Sequence, residues 1–110
     1  MGIVIGIDVG GSTTKIVGYD ERGMFSPLMV KASDPNASIF GAFGRFLFEN
    51  SLSIEAVERV MITGVGASAL EGGKIYGIQT EKVDEFRATG LGGLMLSGLD
   101  KAIIVSMGTG

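Results

Sequence analysis

The sequence predicts an α/β domain in which a three-stranded antiparallel meander is continued by parallel strands with helices. Three observations carry that prediction. Ile3–Val9 is a near-continuous apolar run, the composition of a central strand buried on both faces. After a tight glycine loop, Thr14–Asp20 reads as its antiparallel partner. Further on, Ile39, Phe40, Phe43, Phe46 and Leu47 recur at helical spacing, so an amphipathic helix follows the opening strands.

The remaining elements follow in order. Asp20–Gly23 is a turn, and Phe25–Lys31 completes the meander, with Pro27 favouring an edge position. Ser33, Asp34, Pro35 and Asn36 open the phenylalanine helix, and Asn50 and Ser51 suit its end. Its aromatic stripe is read as core packing. Ile54–Val57 is a helical turn at most, and Val60–Thr63 is a fourth strand. Gly64-Val65-Gly66 turns the chain, Ala67–Glu71 suits a short helix, and Ile75–Val83 returns as a strand. Asp84–Leu99 reads as a helix with Gly90, Gly92 and Gly93 inside it, which implies close packing or a break. Ala102–Met107 is a last strand.

Length and composition bound the function. The 110 residues suit one domain, and 45% hydrophobic content with a mean hydropathy of +0.41 supports a core. Nineteen glycines fall at strand ends and turns without a collagen-like period. A net charge of −3 and no basic stripe argue against a nucleic-acid partner. No apolar run reaches membrane-spanning length, and no charged leader precedes an apolar segment, so no membrane partner and a cytoplasmic setting are expected. With no Cys and no His, acid–base chemistry falls to Asp, Glu, Lys or Tyr.

Chemistry concentrates in the first loop. Asp8, Gly10, Gly11, Ser12, Thr13, Thr14 and Lys15 place an acid, two glycines, three hydroxyls and a lysine between two strands. Glycine permits close backbone approach and positive φ, so the loop can wrap N–H groups around a phosphate. The carboxylate of Asp8 is suited to a hydrated Mg2+, a hard cation that takes oxygen ligands. Lys15 can approach as a point charge or stand exposed at a strand start. A bare Gly-Gly turn would reverse the chain without needing the acid or the hydroxyls. The spacing is not that of a P-loop, because the lysine lacks its Gly-x-x-x-x-Gly-Lys context and a strand follows.

The hairpin resembles the first phosphate loop of the actin/Hsp70/sugar-kinase superfamily. Ile62–Gly66, Val83-Asp84-Glu85-Phe86-Arg87-Ala88 and the terminal Ile103–Gly110, in that order, resemble type II pantothenate kinases. That resemblance implies an RNase H-like half-domain over residues 1–100, with 101–110 the first strand of a second domain that stops within its own loop. It implies Mg·ATP bound by the hairpin, with Gly64 and Gly66 beside the phosphates and Gly108 and Gly110 in a second phosphate loop. Glu85 matches the segment carrying the family's catalytic glutamate, and Arg87 is expected to bind substrate or pair with a carboxylate. On the residues alone, Glu85 is also what any helix start favours, since acids suit the positive end of the macrodipole. The implied reaction is ATP-dependent phosphorylation of pantothenate, the first step of coenzyme A biosynthesis, by a protein that forms a homodimer. This chain alone is expected to be inactive.

Other readings stand beside it. The chain suits a non-catalytic nucleotide-binding or scaffold fragment, pairing with another chain through the edge of Ala102–Met107. A hexokinase-like sugar kinase fits the same superfamily, as does a dehydratase activator, although no Cys is present for its iron–sulfur cluster. Gly64-Val-Gly66-Ala-Ser-Ala69 also matches a dinucleotide-binding fingerprint, with Asp84 and Glu85 about twenty residues on. Gly72-Gly73 would interrupt the helix that fingerprint requires.

Overall fold

The structure, a computed structural model, describes residues 2–31, 33–99, 101, 103 and 105. Strand β1 spans Ile3–Val9 and pairs antiparallel with β2, Thr13–Asp20. Side chains alternate across a strand, so Ile3, Ile5, Ile7 and Val9 share one buried face. The other face of β1 is only half-buried, rather than closed as its composition predicted. The predicted strand Phe25–Lys31 is two pieces, β3 at Gly23–Met24 and β4 at Leu28–Lys31, both paired with β2. Pro27 lies in the break, since it has no N–H for the ladder.

Helix α1 spans Pro35–Glu49. The Asp34 carboxylate accepts from the N–H groups of Asn36 and Ala37, and proline in the first turn needs no acceptor. Its buried stripe of Ile39, Ala42, Phe43 and Phe46 packs on the Ile3–Val9 face. Gly18 makes room for that packing: a Cβ there would lie 2.9 Å from the Phe46 ring. A 3-10 turn at Ile54–Ala56 leads into β5, Val57–Thr63, which pairs parallel with β1. Its Val60 and Ile62 join the core opposite Ile5 and Ile7.

Two 3-10 turns, Ala67–Ala69 and Glu71–Gly73, precede β6 (Lys74–Ile75) and β7 (Ile78–Lys82). The single strand predicted over Ile75–Val83 is therefore a hairpin. Tyr76 and Gly77 sit at φ 48° and 82°, the left-handed pair that a two-residue hairpin turn requires. The Tyr76 ring meets Phe40 edge-on at 5.2 Å and Phe43 at 5.6 Å, tying the hairpin to α1.

Helix α2 spans Glu85–Ser97, with Asp84 capping the Arg87 N–H at 2.9 Å and Gly98 closing it at φ 71°. The predicted helix extended over Asp84–Leu99. Gly90 and Gly92 neither break it nor serve close packing, since a Cβ at either would meet nothing within 4 Å. No residue of α2 is buried. Across the sheet the order runs β2, β1, β5, β7, with β3 and β4 outside β2 and β6 outside β7. The expected strand Ala102–Met107, with Gly108 and Gly110, falls largely outside the described residues.

Candidate phosphate-binding site

The parallel pairing of β1, β5 and β7 aligns their C-terminal ends on one sheet edge. Asp8–Val9, Thr63–Gly64 and Val83–Glu85 therefore gather there, although they are far apart in sequence. Two strand spacings, about 10 Å, separate β1 from β7. That edge brings together Asp8, the glycine loop, Gly64, Gly66 and the start of α2.

The hairpin closes through one bond, from the Gly10 N–H to the Thr13 carbonyl at 2.8 Å. Gly10 is required for that closure, because a Cβ would lie 2.9 Å from the Thr13 oxygen. Neither Gly10 nor Gly11 has positive φ, so the left-handed freedom that glycine permits is not used here. Gly11 and Ser12 form the exposed tip, and their N–H groups donate to no backbone carbonyl among the described residues. Thr13 and Lys15 lie on the same face as Asp8, which pairs with Lys15 across the ladder.

Thr14 departs from the expectation. It is fully buried, and its hydroxyl lies 2.7 Å from that of Ser38, which in turn donates to the Pro35 carbonyl at 2.9 Å. Its hydroxyl thus anchors the first turn of α1 to β2, within the core.

The Gly64–Gly66 turn is locked onto the hairpin base. The Gly66 N–H donates to the Val9 carbonyl at 2.8 Å. Gly64 sits at φ 99°, where a Cβ would lie 2.3 Å from the Val9 oxygen and 2.6 Å from Asp8 Oδ1. At Gly66 a Cβ would lie 2.6 Å from Val9 Cγ1 and 3.3 Å from Pro35. Both glycines are there because backbones approach too closely for a side chain. No α-helix follows them, so the phosphate-facing helix of a dinucleotide fingerprint is missing.

Asp8, Lys15 and Thr63 line an open cleft of about 530 Å³ on the sheet face opposite α1. Val17, Met61, Val83 and the α2 residues Ala88 and Leu91 add apolar walls. Asp8 and Lys15 make no ion pair with each other among the described residues. Thr63 Oγ1 is buried with no hydrogen-bond partner among the described residues. Thr63 lies within the Ile62–Gly66 motif, but the sequence gives it no role; its place beside Asp8 depends on a parallel pairing between strands about fifty residues apart. Glu85 is exposed in the first turn of α2, and Arg87 is exposed with no ion pair among the described residues.

The donor set fits a phosphate chain carrying a hard cation. Asp8 supplies carboxylate oxygen, the loop tip supplies free N–H groups, and Lys15 supplies positive charge. Beyond Asp8, no cluster of three or more metal-ligating side chains occurs among the described residues. A cation here would therefore keep much of its water, as Mg2+ commonly does. No helix among the described residues is long and apolar enough to cross a membrane.

Comparison with solved structures places this architecture in the actin-like ATPase and sugar-kinase class of folds. The (R)-2-hydroxyglutaryl-CoA dehydratase component A of Acidaminococcus fermentans matches with TM-score 0.68 and 22% identity, over 87% of this chain and 36% of its own. An activator of 2-hydroxyisocaproyl-CoA dehydratase from Clostridium difficile, solved with ADPNP, matches with TM-score 0.65 and 15% identity, over 81% and 32%. A glucokinase from Balamuthia mandrillaris, solved with glucose, matches with TM-score 0.56 and 14% identity, over 88% and 34%. The chain thus spans about a third of the length of these structures. No family model matches it, and no curated protein does.

Proposed function

We propose that this chain carries the phosphate-binding hairpin and the acceptor-side base of an ATP-dependent kinase whose acceptor is pantothenate. The observation behind the nucleotide reading is the docking of Gly64–Gly66 onto Asp8–Val9. It holds a loop tip whose two N–H groups donate to no backbone carbonyl among the described residues, beside an acid and a lysine. The glucokinase match and the ADPNP-bound activator support phosphoryl chemistry on this fold. Pantothenate rests on the resemblance of Val83–Ala88 and its companion motifs to type II pantothenate kinases.

In this reading Gly11 and Ser12 donate to the β- and γ-phosphates, and Lys15 adds charge from the adjoining strand. Mg2+, when bound, neutralises charge developing on the phosphates, with Asp8 holding its water shell. Gly10 and Thr13 keep the loop closed. Glu85 accepts the proton of the pantothenate hydroxyl as its oxygen attacks the γ-phosphorus and the bond to ADP breaks. Arg87, whose side chain pairs with no carboxylate among the described residues, binds the acceptor. Residues 1–100 form the first domain, and two copies assemble in the cytoplasm.

The test is an amide NMR titration of the 110-residue chain with Mg·ATP and, separately, with NAD. Shifts concentrated at Gly10–Thr13 with Mg·ATP, lost in Asp8→Asn, are expected. Shifts at Gly64–Ala69 with NAD instead would overturn the kinase reading. In an enzyme containing this chain, Glu85→Gln should lower kcat by about 10²–10⁴-fold while nucleotide affinity is kept. An unchanged kcat would remove Glu85 as the base.

A further inference from the structure

We propose that Thr63 is a positioning residue for Asp8. Its hydroxyl donates to one carboxylate oxygen and leaves the other directed at the water shell of a divalent cation. The inference rests on the phosphate-site reading above and gives a role to a residue that lies within the Ile62–Gly66 motif but was assigned none there.

Three observations converge on it. Thr63 Oγ1 is buried and has no hydrogen-bond partner among the described residues. Buried hydroxyls are ordinarily satisfied, so one without a partner calls for an explanation. Thr63 is the direct register partner of Asp8 on the neighbouring parallel strand, with both residues lining the cleft. Adjacent strands lie about 4.8 Å apart, so a turn about one side-chain bond brings the hydroxyl within reach of the carboxylate.

The carboxylate already leans that way. A Cβ built on Gly64 would fall 2.6 Å from Asp8 Oδ1, which puts that oxygen beside the residue that follows Thr63. Lys15, across the other ladder, makes no ion pair with it. Gly64 therefore leaves the space and Thr63 supplies the donor. A carboxylate held by a hydrogen bond loses less rotational freedom on meeting a cation, and such supporting bonds tune metal affinity.

A purely structural threonine makes a different prediction. Threonine suits strands for its β-branched shape, and valine has the same shape without the hydroxyl. Thr63→Val keeps that shape, so a purely structural role predicts an unchanged Mg2+ requirement in a folded chain. The positioning role predicts a raised Mg2+ requirement with the fold retained.

The experiment follows the Gly11 and Ser12 amides in the whole chain while MgCl2 is added at fixed ATP. Thr63→Val should raise the half-saturating Mg2+ concentration by about tenfold or more, with the fold retained. Thr63→Ser, which keeps the hydroxyl, should restore a response close to the parent. An unchanged Mg2+ requirement in a folded Thr63→Val overturns the inference and leaves the phosphate site standing. If serine fails to rescue, the methyl group is what matters and the hydroxyl role is likewise overturned. If the parent chain itself gives no response to Mg·ATP, the phosphate-site reading fails and this inference falls with it.

Discussion

Glycines at this site are of two physical kinds, and only one is structural. Gly64 combines φ 99° with a Cβ position 2.3 Å from a backbone oxygen, so no side-chain rotation relieves a substitution. Gly64→Ala should cost at least about 1–2 kcal/mol, from the left-handed conformation alone, and chemical denaturation would measure it. Gly11 has ordinary φ and open space around its Cβ, so Gly11→Ala should leave the midpoint nearly unchanged. If both variants lose stability equally, the close approach at Asp8–Val9 is not what selects glycine. The Gly-Gly pair was visible in the sequence, but its roles were not. Glycine permits positive φ at both Gly10 and Gly11, but neither uses it, and the loop needs glycine only at Gly10, for closure on Thr13. Thr14 shows the same limit: three adjacent hydroxyls look equivalent in sequence, and strand alternation turns the middle one of Thr13, Thr14 and Lys15 into the core.

The two helices differ sharply in what holds them. Helix α1 has an acidic N-cap, a proline start and four buried apolar residues, and its bounds were legible because caps and periodicity agree. Helix α2 has a cap at each end and no buried residue, with Phe86, Leu91, Met95 and Leu96 largely exposed. Helices gain most of their stability from packing an apolar face, so α2 should open far more readily than α1. Native-state hydrogen exchange should show α1 and β1 amides protected near the global limit, and α2 amides exchanging by local opening. Equal protection would mean that α2 is held by contacts beyond its own caps. The hairpin β6–β7 was missed for a reason at the same scale. Tyr76 is a strand-favouring residue, and here its ring packing on Phe40 and Phe43 outweighs the cost of a positive φ.

At the scale of the whole molecule, charge is sparse in the core, and the buried acid is paired. Asp20 is nearly buried at the end of β2 and receives hydrogen bonds from the Arg22 side chain and N–H, the closest at 2.7 Å. These bonds hold its carboxyl below the usual carboxylate range. A lowered folded-state value means that the contribution is complete above the ordinary value of 3.8 and is lost as pH falls through the lowered one. Arg22→Ala should therefore destabilise the chain at neutral pH and flatten its acid-induced loss of stability. Urea unfolding between pH 7 and pH 2 checks both. An acid limb identical to the parent's would show that other carboxylates govern it.

Local sequence is not enough for the break at Pro27 or the β6–β7 hairpin, but it is enough for β1, β2, β5 and α2, for the α1 cap and core stripe, and for the acid-glycine-hydroxyl-lysine loop. These depend on neighbours a few residues apart, and local propensity, periodicity and turn chemistry act at that range. Tertiary structure alone decided that Gly64 and Gly66 clamp Asp8–Val9, that Thr14 serves the core, and that Thr63 stands beside Asp8. Those relations follow from the parallel pairing of β1 with β5, across some fifty intervening residues, and from which strand face α1 covers. Register between distant strands is set by the burial of whole faces, a property of the assembled sheet that no short stretch of chain contains.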